Sequence, residues 1–166
     1  MKTIKSSLFA LLAVVALTTV SCSEDDNNNN NNNAAANLLA EELRNTASSG
    51  TWRVSRYEDN GQNETSDYNG YSFTFGSDGM LTATNSSNTV TGTWSVTVDS
   101  SSSDSSDDDG SDDSDDVDFN IFFASPADFE ELSDDWDIVS RTDTRIELID
   151  ISGGDGSIEY LTFEKN

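Results

Sequence analysis

The side chains that could carry catalysis are limited in kind, because carboxylates dominate this sequence and histidine is absent. Without an imidazole base the common serine and cysteine nucleophiles lack their partner, and Cys22 is the only cysteine. Zinc sites built from His and Cys, and disulfides within the chain, are excluded on the same grounds. The 32 acidic residues are frequent enough for some pair to reach a glycosidase-like spacing by chance, and no pair stands in an apolar setting. We therefore expect no enzymatic activity, no catalytic residues and no cofactor.

Oxygen ligands for a hard cation remain available, and one acidic stretch approaches the required spacing. Asp107 and Asp109 precede Gly110, and Asp116 lies six residues beyond that glycine. The spacing resembles that of an EF-hand loop, but Ser105 stands at the first acidic position and Asp116 replaces the glutamate. Because blocks of like charge are usually solvated, we expect no metal site here. The candidate ligands, should that expectation fail, are Asp107, Asp109 and Asp116.

Cys22 follows a segment with the features of an export signal. Lys2 and Lys5 precede an uninterrupted apolar run of ten residues, 8–17. A membrane-spanning helix needs about 20 apolar residues, so this run is too short to span and instead has the length of a secretory signal core. Small residues follow it. We therefore predict that residues 1–21 are a signal peptide.

The junction at Cys22 resembles the lipobox of bacterial lipoproteins, in which the cysteine becomes the first residue and carries acyl chains. The resemblance covers Thr19-Val20-Ser21-Cys22, with Thr19 where leucine is usual. An ordinary cut after Ser21 is the alternative. The next four residues resemble the surface-export signal of Bacteroidetes lipoproteins: Ser23, Glu24, Asp25 and Asp26. Together these resemblances imply lipidation at Cys22 and a lipid-anchored protein of the outer membrane that faces the cell surface.

Net charge restricts the partners of the exported chain. The sequence has 8 Lys and Arg residues against 32 Asp and Glu residues. Removal of Lys2 and Lys5 with the signal peptide leaves six basic residues and a formal charge of −26. Such a chain repels nucleic acid and anionic lipid surfaces. We expect the membrane to be a partner through the lipid anchor alone, and nucleic acid to be no partner.

Three segments outside the strands differ sharply in composition. Residues 22–33 form an acidic and asparagine-rich tether that buries nothing apolar. Residues 34–49 are rich in Ala, Leu and Glu and predict a helix. We expect this short helix to lie on the domain, and a lid over one barrel end is the alternative. Residues 99–116 contain mainly Ser, Asp and Gly and predict a disordered acidic insertion in one hairpin.

Residues 50–166 show the period of two that is typical of half-buried strands. One short helical turn is predicted after Ser125 and Pro126. Sequential hairpins indicate an all-β up-and-down barrel or a sandwich, and closure of a barrel would remove the exposed edge strands. We expect one antiparallel barrel of about eight strands. The alternating segments are 51–57, 71–75, 81–84, 89–98, 117–123, 136–141, 145–151 and 158–165.

The motif Gly50-Thr51-Trp52 resembles the Gly-x-Trp of lipocalins, and Gly92-Thr93-Trp94 repeats it. With Phe73-Thr74-Phe75 and the turn Ser77-Asp78-Gly79, the chain resembles lipocalin-like lipoproteins of Bacteroidetes over residues 50–165. The resemblance implies an eight-stranded barrel, often with an apolar cavity. It also implies that the tryptophan closes one barrel end and packs on a basic side chain, for which Arg145 and Lys165 are both candidates.

Two functions are compatible with these observations. They differ in whether the interior or the outer face of the barrel makes the functional contacts. In the first, the barrel interior binds a small hydrophobic ligand. In the second, the protein is a non-catalytic surface protein that acts through its outer face, in adhesion, glycan contact or envelope structure. A solidly packed interior is as compatible with the sequence as a cavity. The candidate cavity-lining residues are Trp52, Phe73, Phe75, Trp94, Phe119 and Ile121.

Overall fold

A computed structural model of the protein describes residues 28–98, 117–152 and 156–166. Within these ranges one antiparallel sheet contains nine strands. The predicted signal peptide, Cys22, the predicted export residues 23–26 and the predicted acidic insertion lie outside the described residues. The strands are β1 (Trp52–Asp59), β2 (Gln62–Asn63), β3 (Ser72–Phe75), β4 (Met80–Thr84), β5 (Thr89–Val98), β6 (Val117–Phe122), β7 (Asp135–Thr142), β8 (Arg145–Ile151) and β9 (Ile158–Lys165).

The sheet closes into a barrel because its first and last long strands meet. From β3 to β9 each strand pairs with the next one along the chain. β1 then pairs with β9 at seven positions and with β3 at one, Trp52 opposite Phe73. β2 is only a two-residue extension hydrogen-bonded to β1. The barrel wall therefore has eight antiparallel strands, which confirms the predicted up-and-down barrel and excludes the sandwich.

Helix α1 (Asn28–Ala47) is longer than the sequence indicates. It begins six residues before the predicted start at 34, inside the segment predicted to be a solvated tether, and it ends at Ala47 rather than at 49. Asparagine is a poor helix former, whereas the alanine- and leucine-rich turns that follow are strong ones. Extending an existing helix costs far less than nucleating a new one, so strong turns can continue the helix into a weak segment.

Helix α1 covers one end of the barrel, so the lid alternative is correct and the helix does not lie on the barrel wall. Ala40, Leu43 and Ala47 are completely buried and belong to the same core as the strand residues. Contacts reach the helix and the turn after it from strands on different sides of that end: Arg44 donates to the Val96 carbonyl of β5 at 2.6 Å, Arg141 of β7 pairs with Glu42, and Lys165 of β9 donates to Ser49 at 3.0 Å.

A single helical turn, α2 (Ala127–Glu130), closes the opposite end together with a 3₁₀ turn (Thr65–Tyr68). Phe129 and Leu132 are buried there and attach the turn to the core. The Tyr57 and Tyr68 hydroxyls donate to main-chain carbonyls beside α2, at 2.9 and 2.5 Å. Both ends of the barrel are therefore covered by side chains and main chain from outside the wall.

Candidate functional site

The six residues predicted to line a cavity all point into the barrel. None of them is more than 7 % exposed, and Trp52, Phe73 and Phe119 are completely buried. The inward orientation read from the period of two is therefore confirmed. The two tryptophans that follow Gly-Thr, Trp52 and Trp94, share this inward orientation.

These inward side chains pack against one another. The Phe75 ring lies 5.2 Å from Trp94, 5.5 Å from Phe119 and 5.2 Å from Phe163, measured between ring centroids, in edge-to-face geometry. Trp94 stacks on Phe119 at 5.7 Å, and Phe73 meets Phe163 at 5.5 Å. Such distances are those of aromatic pairs in direct contact. Aromatic rings therefore fill the interior of the barrel, where a ligand would bind. The interior agrees with the solidly packed alternative rather than with a cavity.

Trp52 closes the barrel end under α1, and its basic partner is Lys165. The Lys165 Nζ atom lies 5.1 Å from the centroid of the indole ring, within range of a cation–π interaction. The indole Nε1 donates to the Ala47 carbonyl at 2.8 Å, which joins β1 to the end of α1. Arg145, the other candidate, pairs instead with Glu147 and Glu164.

The outer face carries a groove of about 580 Å³ where β5, β6 and β7 run side by side. Phe122 stands in it with 59 % of its surface exposed, directly opposite Thr93 in the sheet. The neighbouring row pairs Ser95 with Asn120. The groove thus combines one exposed aromatic ring with a set of hydrogen-bonding side chains. The residues that line it are Thr93, Trp94, Ser95, Asn120, Ile121, Phe122, Ser133, Asp134 and Asp135.

One carboxyl group of the groove, that of Asp134, differs from an ordinary surface acid. Partial burial, together with a hydrogen bond to Asp135, raises the pKa of Asp134 to about 6. At pH 7 the Asp134 carboxylate is mostly ionised and accepts hydrogen bonds, and below pH 6 it becomes a donor. Ser133 is already engaged, since it accepts from the Phe123 N–H at 2.8 Å and donates to the Phe123 carbonyl at 3.3 Å.

One feature of the sequence indicates this groove, and it lies at the end of β6. Ile121, Phe122 and Phe123 are three large apolar residues in succession at the end of an alternating strand. Because consecutive strand residues face opposite sides, one of the three had to point to solvent. Ile121 and Phe123 are buried and Phe122 is exposed.

Two other expectations concern metals and membrane spans. Among the described residues, no group of three or more His, Cys, Asp or Glu side chains is placed to hold a metal ion. The candidates Asp107, Asp109 and Asp116 lie outside those residues, as do Cys22 and the export residues 23–26. In the same part of the chain, no helix has both the length and the apolar character needed to cross a membrane.

Comparison with known proteins gives little further identification. No family model and no curated protein matches the sequence. Among solved structures, the chain is similar to a DUF4847 family protein from Bacteroides vulgatus, with a TM-score of 0.42 and 18 % sequence identity. The similarity covers 75 % of this chain and 97 % of that chain. The class of protein is therefore defined by the strand pairings of the chain itself: a closed, lipocalin-like antiparallel barrel with one helix-covered end, a fold compatible with ligand binding.

Proposed function

We propose that this protein is a lipid-anchored, non-catalytic binding protein of the outer membrane surface that holds a saccharide on the outer face of its barrel. The observation that carries the proposal is the exposed Phe122 ring in a groove of hydrogen-bonding side chains. The filled interior supports the outer face over the inside as the binding surface, because the inward rings contact one another and both barrel ends are covered.

The chemistry of the groove suits a saccharide in particular. A sugar ring has an apolar C–H face, which packs on an aromatic side chain, and a rim of hydroxyls that both donate and accept hydrogen bonds. Around Phe122 the groove offers hydroxyls, an amide and carboxylates, which are the complementary groups. An exposed aromatic ring costs hydration free energy, and a ligand that covers it recovers that cost. A volume of about 580 Å³ lies in the range of small-molecule sites.

Replacement of Phe122 by alanine is expected to weaken saccharide binding about thirtyfold, since loss of an aromatic anchor typically costs about 2 kcal/mol. Full-length protein purified in detergent would first be screened on a glycan array, and the best saccharide titrated by calorimetry. Leu38→Ala is the matched control, because Leu38 is 62 % exposed on α1 at the other end of the barrel. Wild-type protein that binds no glycan, or equal affinities in the two variants, would contradict the proposal.

A small hydrophobic ligand inside the barrel is the second candidate function, and the closed barrel topology favours it. Such a ligand would have to separate rings that are now in contact, for example Phe75 and Phe119. Mass spectrometry of an organic extract of the purified protein distinguishes the two candidates. A stoichiometric apolar molecule in the extract would support interior binding, because acyl chains bonded covalently to the protein remain with it.

Loss of the thiol in Cys22→Ala is expected to abolish acylation of the protein. The expectation depends on the position of Cys22 directly after an apolar run of signal-peptide length. Metabolic labelling with an alkyne palmitate should mark the wild type and leave the variant unmarked and absent from the membrane fraction. Ser23→Ala serves as control and should keep its label. A labelled Cys22→Ala protein would refute the lipid anchor.

A further inference from the structure

Half of the Lys and Arg residues that follow Cys22 in the sequence lie in one surface cleft. Six Lys and Arg residues follow Cys22 in a chain with 32 acids, and three of the six are in this cleft: Arg53, Arg56 and Arg145. The cleft has a volume of about 700 Å³ and lies between β1, the ends of β8 and β9, and the segment 63–69. It is separate from the Phe122 groove, because the two share no lining residue.

A β-bulge in β1 places two of these arginines on the same face. Arg53 and Arg56 are three residues apart, and a regular strand would point them to opposite sides of the sheet. The pairing of β1 with β9 shifts register between Val54 and Arg56, so one extra residue, Ser55, is accommodated there. As a result Val54 and Tyr57 are buried, while Arg53 and Arg56 both face outward.

In the same region β1 separates from its neighbour β3. Within the described residues, β1 pairs with β3 only at Trp52 and with β2 only at Glu58 and Asp59. Between these points the segment 64–65 bonds to β1 in place of a strand: the Tyr57 N–H donates to Thr65 Oγ1 at 2.8 Å, and the Tyr57 carbonyl accepts from the Glu64 N–H at 3.0 Å. Asn63, Thr65 and Asn69 of this segment line the cleft together with the arginines.

Glutamates of the wall hold the arginines in place without covering them. Glu164 of β9 stands directly opposite both Arg53 and Arg145 and pairs with each, at 2.6 Å in the case of Arg145. Arg56 pairs with Glu58 at 2.7 Å, and its guanidinium lies 4.1 Å from the centroid of the Tyr160 ring. The three arginine side chains are nevertheless 42–49 % exposed. Ion pairs this exposed contribute little to stability, so an incoming anion can compete with them.

We propose that this cleft binds a small molecule through an oxyanion, a carboxylate, phosphate or sulfate, held between Arg53 and Arg145 with Arg56 at its border. A guanidinium offers five N–H donors in a planar fork that matches the two oxygens of such a group. The ligand carries a single anionic group, because the formal charge of −24 of the sequence repels polyanions. The inference goes beyond the saccharide groove and does not depend on it.

Stabilisation of barrel closure is the competing role for these ion pairs, since Glu164 joins β8, β9 and β1 in one cross-strand row. The two roles respond oppositely to Glu164→Gln. If this row only stabilises the barrel, Glu164→Gln removes two ion pairs and does not strengthen anion binding. In a binding site, Glu164 competes with the ligand for both guanidiniums, so its neutralisation strengthens anion binding.

Titration of full-length protein in detergent with inorganic phosphate, sulfate and acetate, each alone, tests the proposal and identifies which oxyanion is preferred. Arg145→Gln should weaken binding of the preferred anion about tenfold or more, as expected for loss of charge-assisted hydrogen bonds. Arg53→Lys keeps the charge but loses the fork and should also weaken it. Glu164→Gln should bind several-fold more tightly. Arg141→Gln, outside the cleft and paired with Glu42, should match the wild type.

Near-UV circular dichroism of every variant establishes that the barrel is intact, so that lost binding is not lost folding. The proposal is overturned if neither the wild type nor Glu164→Gln shows saturable binding below about 10 mM, a very weak affinity for a specific site. It is also overturned if Arg141→Gln and Arg145→Gln lose affinity equally, because the anion then binds by overall charge. Phe122→Ala should leave anion binding unchanged. The proposal for the arginine cleft can therefore fail or hold independently of the proposal for the saccharide groove.

Discussion

Trp52→Ala is expected to lower the free energy of unfolding by about 3–5 kcal/mol, the usual cost of removing a fully buried tryptophan. The Trp52 ring is completely buried and joins three elements. It lies on β1, donates to the Ala47 carbonyl at the end of α1, and has the Lys165 ammonium of β9 over its face. Small domains have only about 5–15 kcal/mol of total stability, so this single substitution removes a large share of it.

Urea unfolding followed by far-UV circular dichroism measures the loss. Trp52→Phe keeps a ring in the same place and loses the hydrogen bond to Ala47, so it should fall between the wild type and the alanine variant. Thr97→Ala is the surface control, because Thr97 is exposed on β5 and should change stability by at most about 0.5 kcal/mol. A loss below about 1 kcal/mol in Trp52→Ala would mean that the barrel end under α1 is loosely packed.

The strands were readable from sequence because their period reports directly which side chains face inward. The segment 117–123 was predicted as a strand, and β6 runs from Val117 to Phe122. The small strand β2 was missed inside a polar stretch without alternating apolar residues. The feature of the sequence that indicates β2 is the Asn60-Gly61 pair, because Asn-Gly is preferred in two-residue hairpin turns. Both residues have positive φ in the structure.

The closure of the barrel and the positions of the candidate sites cannot be read from the alternation of inward and outward residues along each strand. Barrel and sandwich share the same alternation, and they differ here in whether β1 meets β9, a pairing of residues more than 100 positions apart. The arginine cleft depends on a bulge at Ser55, and a bulge changes which face a residue occupies without leaving a mark in composition. The helix lid depends on packing, since a helix on the wall and a helix over the end need the same apolar stripe.

The second large effect is expected at Gly92 of β5, the glycine of the second Gly-Thr-Trp motif. Gly92 stands on the inward side of β5, opposite Leu81 of β4. A Cβ atom built there would lie 2.6 Å from Cδ1 of the buried Phe123 ring and would also clash with the Phe122 carbonyl oxygen. Glycine is therefore required by close approach, since Phe122 and Phe123 at the end of β6 leave no room for a methyl group at this position.

Gly92→Ala is expected to cost about 3 kcal/mol, the upper range for overpacking, because one clashing atom belongs to the main chain. Thr91→Ala, one residue away and exposed, is the matched control in the same urea experiment and should stay near the wild type. Phe123→Leu in the Gly92→Ala background should recover part of the loss by relieving the ring contact, although the Phe122 carbonyl contact remains. Additive losses in this double-mutant cycle would show that the Phe123 ring does not limit the room for a side chain at Gly92.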